Sequence, residues 1–345
     1  MNPSFIAYDY HPLRFYKPAT TSRDTLTLKP SWFILQAENS PLPGIGEISI
    51  IEGLSVEKEA DIHLLLSRWN QTPDFISSIE FQKFPSVRFA LEMCEKHRKC
   101  MNWAGTPFAM GNAGIDINGL VWMSDVPTMK QEAREKIEAG FKCVKLKIGA
   151  QLWEDELHLI AGLRKEFTES DLMIRVDANG AFPLDEAYHK LEQLADLDIH
   201  SIEQPIAAGQ IDAMSELCSN TPLPIALDEE LIGMDPAKGA ALLDAINPQY
   251  IILKPSLLGG LAASDQWVSL AEERSIGWWV TSALESNIGL NAIAQWVSTK
   301  DIDGSFQGLG TGQLYSNNIP SPLEVRNGQL HYTDQSWEIP TFLDV

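Results

Sequence analysis

The sequence predicts an α/β protein, a barrel of the (β/α)8 type built from alternating parallel strands and helices, behind a small α+β unit. Three observations carry this. Beyond residue 114, short apolar runs alternate with amphipathic helical stretches. Comparable points in successive runs, Lys145, Arg175, Glu203, Asp228, Lys254, Ser282 and Gly310, are 30, 28, 25, 26, 28 and 28 residues apart, one βα unit each. Runs are also apolar where they start and polar near their C-terminal ends, where barrels of this kind carry their active sites. An open doubly wound sheet is the structural alternative, but neither GxGxxG nor a Walker A sequence follows any run.

Residues 1–56 alternate strand-like runs (TLTLKP, WFILQAE, IGEISII) with turn residues such as the PLPG at 41–44. Residues 57–70 and 86–99 carry helical spacing, with Val87, Ala90, Leu91 and Cys94 on one face. Strands first and helices after read as a small α+β unit. The Gly/Asn/Pro-rich stretch at 104–114 marks its boundary. Barrel strands are expected at 117–123, 143–149, 173–179, 201–206, 225–230, 250–256, 278–284 and 306–312. Helices are expected between most of them, at 128–139, 152–166, 184–197 and 260–274 among others.

Composition narrows the function. Of 345 residues, 44% are hydrophobic and 21% charged, with 26 Lys+Arg against 47 Asp+Glu and a net charge of −21. That balance opposes nucleic acid or an anionic membrane as partner, since both need a basic face. No run approaches the length of apolar chain that spans a bilayer, and the first residues lack the apolar segment of a signal peptide. Cys94, Cys100, Cys143 and Cys218 form no CxxC pair and no zinc spacing, so they read as reduced thiols in a cytoplasm. Oligomeric state leaves no signal in the sequence.

Asp177, Glu203 and Asp228 close three consecutive strands, which in a barrel gathers them around one point. Three adjacent carboxylates repel unless a cation neutralises them, and an all-oxygen set favours a hard ion, Mg²⁺ or Mn²⁺. Taken singly, each acid also reads as a helix cap after its strand, and Asn179 as either a cap or a ligand-bonding group. Lys145 and Lys147, at i and i+2 of one strand, point to the same side. Inside a buried strand their repulsion and desolvation are expected to lower their pKa values. Lys254 ends the sixth strand, approximately opposite. A metal site flanked by lysines suits removal of a proton next to a carboxylate, with ammonium and metal stabilising the enediolate. Lys254 as a Schiff-base lysine is the alternative, and it leaves the three acids unexplained. Ser282 and Ser286 read as binding or capping groups, and Gly310 in GLGTG offers backbone N–H groups to an anion. Arg23, in the 16–24 stretch, reads as a lid contact for a carboxylate or as part of a solvated loop.

The ordered motifs KLK at 145–147, DAN at 177–179, EQP at 203–205, LDE at 227–229 and LKPS at 253–256 resemble the enolase superfamily, in its muconate-lactonizing subgroup. TSALESNIG at 281–289, QGLGTG at 307–312 and PSVRFALE at 85–92 extend the resemblance over nearly the whole chain. The resemblance implies an α+β capping domain over 1–105, a (β/α)7β barrel over 106–320, and a segment 321–345 returning to the capping domain. It implies one Mg²⁺, with Mn²⁺ as substitute, held by Asp177, Glu203 and Asp228. Lys147 would be the base, Lys145 would tune it, and Lys254 would stabilise the enediolate of a small-molecule carboxylate. The members it resembles most dehydrate a succinyl-hydroxycyclohexadiene carboxylate to o-succinylbenzoate in menaquinone synthesis. Racemisation of N-acylamino acids and dipeptide epimerisation are the alternatives, because two lysines serve them too. Against them, the chain has GLGTG where epimerases carry an acidic DxD, and Leu257 where the racemases tend to carry Arg. No histidine matches the one that mandelate-racemase-like members place at the sixth unit.

Overall fold

The computed structural model describes residues 6–22, 24–36, 44–72, 75, 80 and 83–339. Its N-terminal unit holds β1 (Ile6–Tyr10), β2 (Leu13–Thr20), β3 (Thr25–Lys29), β4 (Ser31–Gln36) and β5 (Gly44–Ser49), followed by α1 (Glu59–Gln71) and α2 (Pro85–His97). Antiparallel pairing orders one sheet β1-β4-β5, and β2 and β3 form a separate hairpin. Every residue of β4 and β5 is buried. Parity explains why. Trp32, Ile34 and Ile48 join the core under α1 and α2, whereas Phe33, Leu35 and Ile45 on the opposite face pack with Ile288 and Ile319 of the barrel unit. Gly46 lets α2 lie directly on the sheet: a Cβ there would stand 2.1 Å from the Ala90 carbonyl oxygen.

The barrel unit runs through β6 (Ile115–Asp116), β7 (Gly119–Val121), α3 (Val126–Glu138), β8 (Cys143–Lys147), α4 (Trp153–Glu166), β9 (Met173–Asp177), α5 (Leu184–Ala195), β10 (Ser201–Glu203), α6 (Ile211–Asn220), β11 (Ile225–Leu227), α7 (Pro236–Ile246), β12 (Tyr250–Leu253), α8 (Pro255–Leu258), α9 (Leu261–Glu272), β13 (Gly277–Val280) and α10 (Asn287–Val297). Strands β7 to β13 form one parallel sheet in sequential order. The eighth strand expected at 306–312 is reduced to two parallel bridges, Ile117 to Gln307 and Thr281 to Gly308, which join the two edges of the sheet. Strands are shorter than their apolar runs because the chain turns at once beyond them. Asn179 and Gln204 take φ values of 47° and 42°. Among the described residues no helix is long and apolar enough to cross a membrane.

Among the described residues the C-terminal hairpin, β14 (Leu323–Arg326) and β15 (Gln329–Tyr332), does not pair with the capping sheet. It pairs with β6, covering an edge that would otherwise stand open. Trp337, beyond the hairpin, does reach the cluster of Phe33, Leu35 and Ile45.

A histidine stitches the two units together. His97, in the last turn of α2, is within 2.9 Å of the Ile45 carbonyl through Nδ1 and 3.3 Å of the Asn291 amide of α10 through Nε2. A neutral ring donating from Nδ1 and accepting at Nε2 satisfies both, and burial lowers its pKa to about 4. The unfolded chain binds this proton near pH 6.5 and the folded one only near 4, so the stability contributed is complete above 6.5 and is lost as pH falls towards 4. We expect His97→Gln to flatten the fall of urea-unfolding stability between pH 6.5 and 4. An unchanged slope would remove His97 as its source.

Candidate active site

Parity sets which side chains face the barrel interior, and height along the strands divides that interior into floor and roof. Tyr250, Ile252, Trp279 and Ala226 pack together as an interior cluster, and the Arg175 guanidinium lies 3.9 Å from the Trp279 ring centre. On the same inward side, at the C-terminal ends of the strands, come the charges. Lys147, Asp177 and Glu203 stand side by side in the parallel register, and Asp228 and Lys254 follow directly on β11 and β12. Glu203 is in register with Ala226, which sets Asp228 two residues further up. The turns above the strands are held in strained backbone. Gln204 donates to the Ile206 carbonyl and accepts from the Asp228 and Glu229 amides, which orients the Asp228 loop.

Six ionisable groups share this roof. Lys145 donates to Glu203 at 2.5 Å and lies 3.0 Å from Asp177. Lys147 donates to Asp177 at 2.5 Å and to Asn179 at 2.8 Å, and Lys254 is hydrogen-bonded to Asp228. Ions in an interior cost several kcal/mol each unless paired, so this mutual pairing makes the cluster tolerable. The lysines are not equivalent. Burial pulls Lys147 down, with the charges of Lys145 and Lys254 adding to it, and Asp177 only partly opposes this. Burial acts on Lys145 as well, but Asp177 and Glu203 outweigh it and its pKa rises, contrary to the expectation that both lysines are lowered. Lys254 is likewise raised, by Asp228 and Glu203 against burial. Burial and the Asp177 charge push Glu203 up to about 7, and its Oε1 is buried without a partner. Asp177, between two ammoniums, is held well below the carboxylate range despite its burial.

The roof opens into a cavity of about 770 Å³ between barrel and cap. Lys147 and Lys254 keep 8% exposure and line it, whereas Asp177, Glu203 and Asp228, at 0–1%, lie beneath. Asn179, Ser282 and Gly310 also line it, joined from the cap by Tyr16, Lys17 and the loop at 51–54. The Ser282 hydroxyl is already fully bonded: it donates to Glu285 and accepts from the Leu284 amide and the Thr311 hydroxyl. Ser286 is not among the lining residues. It caps α10, with its hydroxyl accepting from the Ile288 amide and donating to Glu47 of β5, so of its two readings the structure takes the capping one. Arg23 lies outside the described residues. Glu47 and Glu285 have no role among the residues expected from sequence, although an acid inside the apolar run around Glu47 is itself a signal.

Fold and site together define a lysine-and-carboxylate barrel enzyme of the enolase type. The family model for enolase C-terminal domain-like proteins matches residues 128–336. An o-succinylbenzoate synthase from Desulfotalea psychrophila is 43% identical over 94% of this chain and 98% of its own. An N-succinyl-L-Arg/Lys racemase from Bacillus cereus is 30% identical over 61% of this chain and 54% of its own. The crystal structure of MenC from Desulfotalea psychrophila LSv54 superposes with a TM-score of 0.83 at 40% identity, covering 95% of this chain and 99% of that one. The chain belongs to the enolase superfamily, and within it to the o-succinylbenzoate synthase family.

Proposed function

We infer that the protein catalyses the syn-dehydration of 2-succinyl-6-hydroxy-2,4-cyclohexadiene-1-carboxylate to o-succinylbenzoate, a step of menaquinone synthesis. What carries the reading is near-full-length identity of 43% to an o-succinylbenzoate synthase, in a chain whose cavity is lined by Lys147 and Lys254, one with its pKa lowered and the other with its pKa raised.

In this scheme the neutral Lys147 amine takes the proton from the ring carbon that bears the carboxylate. Electron density moves into the carboxylate as an enediolate, and the Lys254 ammonium balances that charge. As the enediolate collapses, the C–O bond to the ring hydroxyl breaks, and Lys147 returns its proton to the leaving group as water. Lys145, tied to Asp177 and Glu203, keeps its charge and disfavours a second ammonium at Lys147.

The residues present fit a hard divalent cation, because three carboxylates converge without sulfur or imidazole and one Glu203 oxygen is buried and unpartnered. Among the described residues no three acids already stand as a coordinating cluster, since each of these is turned towards a lysine. Asp177, Glu203 and Asp228 would hold Mg²⁺, with Mn²⁺ as substitute. When bound, the ion supplies positive charge to the substrate carboxylate as negative charge builds there.

The same reading treats 1–105 as the capping domain, 106–320 as the barrel, and the cytoplasm as the setting, where four thiols that are all free stay reduced. The deciding experiment supplies the cyclohexadiene carboxylate with Mg²⁺ and follows loss of diene absorbance. Release of o-succinylbenzoate, identified by NMR, supports the reading. Absence of dehydration, together with α-deuterium exchange and inversion of N-succinylamino acids in heavy water, would replace it with a two-base racemase.

A further inference from the structure

Lys29, at the end of β3, is 1% exposed and enclosed between the capping sheet and the barrel. Its ammonium is hydrogen-bonded to Ser49 of β5, and the charges of two further buried groups, Glu47 and Glu285, act on it. The side chains of those two acids flank Gly289: a Cβ built there would be 2.7 Å from Glu285 Cγ and 2.9 Å from Glu47 Oε2. Glu47 is saturated by the Ser286 and Gly289 amides and the Ser31 and Ser286 hydroxyls. Glu285 has fewer donors. Its oxygens accept from Ser256 at 2.5 Å and Ser282 at 2.7 Å, so it bridges the ends of two barrel strands, one of them two residues beyond Lys254.

The turn at 281–285 that Glu285 closes is strained. Leu284 sits at φ 64°, a region that disfavours a branched side chain. Both backbone groups of Leu284 are held, its amide by Ser282 and its carbonyl by the Tyr315 hydroxyl. Ser282, Ala283 and Leu284 line the cavity, whereas Glu285 and Lys29 do not. We infer that Lys29 and Glu285 are positioning residues: from inside the seam, they hold this strained turn as one wall of the substrate cavity. The cap thereby shapes the barrel's site through a buried cluster of charges as well as through the loops it lays over the mouth. Without the ammonium, Glu47 and Glu285 are left buried and uncompensated, and Glu285 is the group that fixes Ser282.

For its substrate the inference rests on the dehydration reading above, so the experiment includes an arm that needs no substrate. Lys29→Met, Glu285→Gln and the double variant are compared with wild type for KM, kcat, product affinity and hydrogen exchange at the Leu284 amide. Lys29→Met is expected to raise KM and the Kd for o-succinylbenzoate about tenfold, with kcat within about threefold, and to speed Leu284 exchange. Adding Glu285→Gln should recover most of that loss, because a neutral amide needs no cation and still bonds both serines. Independent, multiplying effects in the double variant would overturn the inference. So would a lower melting temperature with KM and exchange unchanged. Where Lys29→Met does not fold, Glu285→Ala decides, because it deletes both serine bonds: faster Leu284 exchange supports the inference and unchanged exchange overturns it. A wild type that does not dehydrate would remove the functional reading, and the exchange arm would still decide the cluster.

Discussion

Lys147→Ala is expected to lose at least four orders of magnitude in kcat while keeping its fold. General base catalysis alone contributes about 10²- to 10⁴-fold, and here the proton returned to the leaving hydroxide is lost as well. Four decades correspond to about 5.5 kcal/mol of barrier, more than removal of a single binding contact accounts for. The fold survives because Asp177 keeps a second ammonium: Lys145 stands 3.0 Å away when the 2.5 Å contact to Lys147 is deleted. Deletion also relieves the repulsion between the two lysines. Lys147→Arg is the sharper variant. A guanidinium satisfies Asp177 but does not deprotonate near neutral pH, so it should be as inactive as alanine. Lys254→Ala should be severely impaired through a different loss, that of enediolate stabilisation. Steady-state kinetics on protein purified from a host lacking the enzyme reads all three. Dehydration by Lys147→Arg within about tenfold of wild type would move the base to Lys254.

The barrel and its polar roof were legible because a buried parallel strand tolerates charge only where the charge is used or paired, so polar residues at strand ends stand out against Val, Ile and Leu. The same logic reached its limit at Arg175. It lies one pleat below Asp177 on β9, over Trp279, and belongs to the floor, whereas its neighbour in register, Lys145, reaches up to the roof carboxylates. Parity places both residues inside the barrel, and only contacts with the neighbouring strands assign one to the floor and the other to the roof. Ser286 and Ser282 show a second limit. Whether a serine hydroxyl faces a ligand or is consumed by a helix end and a buried carboxylate depends on Glu47 and Glu285, of which Glu47 comes from the other unit. Strands β4 and β5 hid that unit's role, because burial on both faces erases the alternation that marks an exposed side. The C-terminal hairpin belongs with β6 for a reason local sequence does not carry, an open strand edge more than two hundred residues away.

Exhaustive chelation should abolish dehydration, and Mg²⁺ should restore it. The roof explains why the dependence is complete. With three carboxylates and three ammoniums the cluster is balanced internally, and its acids are spent on lysines, including Asp177 on the base itself. With Asp177, Glu203 and Asp228 engaged by a dication, the upward pull on Lys147 weakens, while burial and the neighbouring ammoniums still lower it. The amine is then free to accept a proton. Two readouts test this apart from turnover. Mg²⁺ binds the folded state, so it should raise the melting temperature of the chelated protein with rising concentration. Asp228→Asn removes one of three charges facing the ion and should weaken Mg²⁺ binding, measured by calorimetry, beyond the about 10- to 100-fold typical of losing an outer-shell partner. Glu230 is not a ready substitute, because both its oxygens are turned onto the Gly209 amide, and Glu229 already accepts from the Asn179 side chain. Full activity in protein shown metal-free by elemental analysis would remove the three-carboxylate site from the mechanism. Unchanged Mg²⁺ affinity in Asp228→Asn would leave the site standing and transfer its third ligand to Glu229, the neighbour that already reaches across to Asn179 on the Asp177 side of the roof.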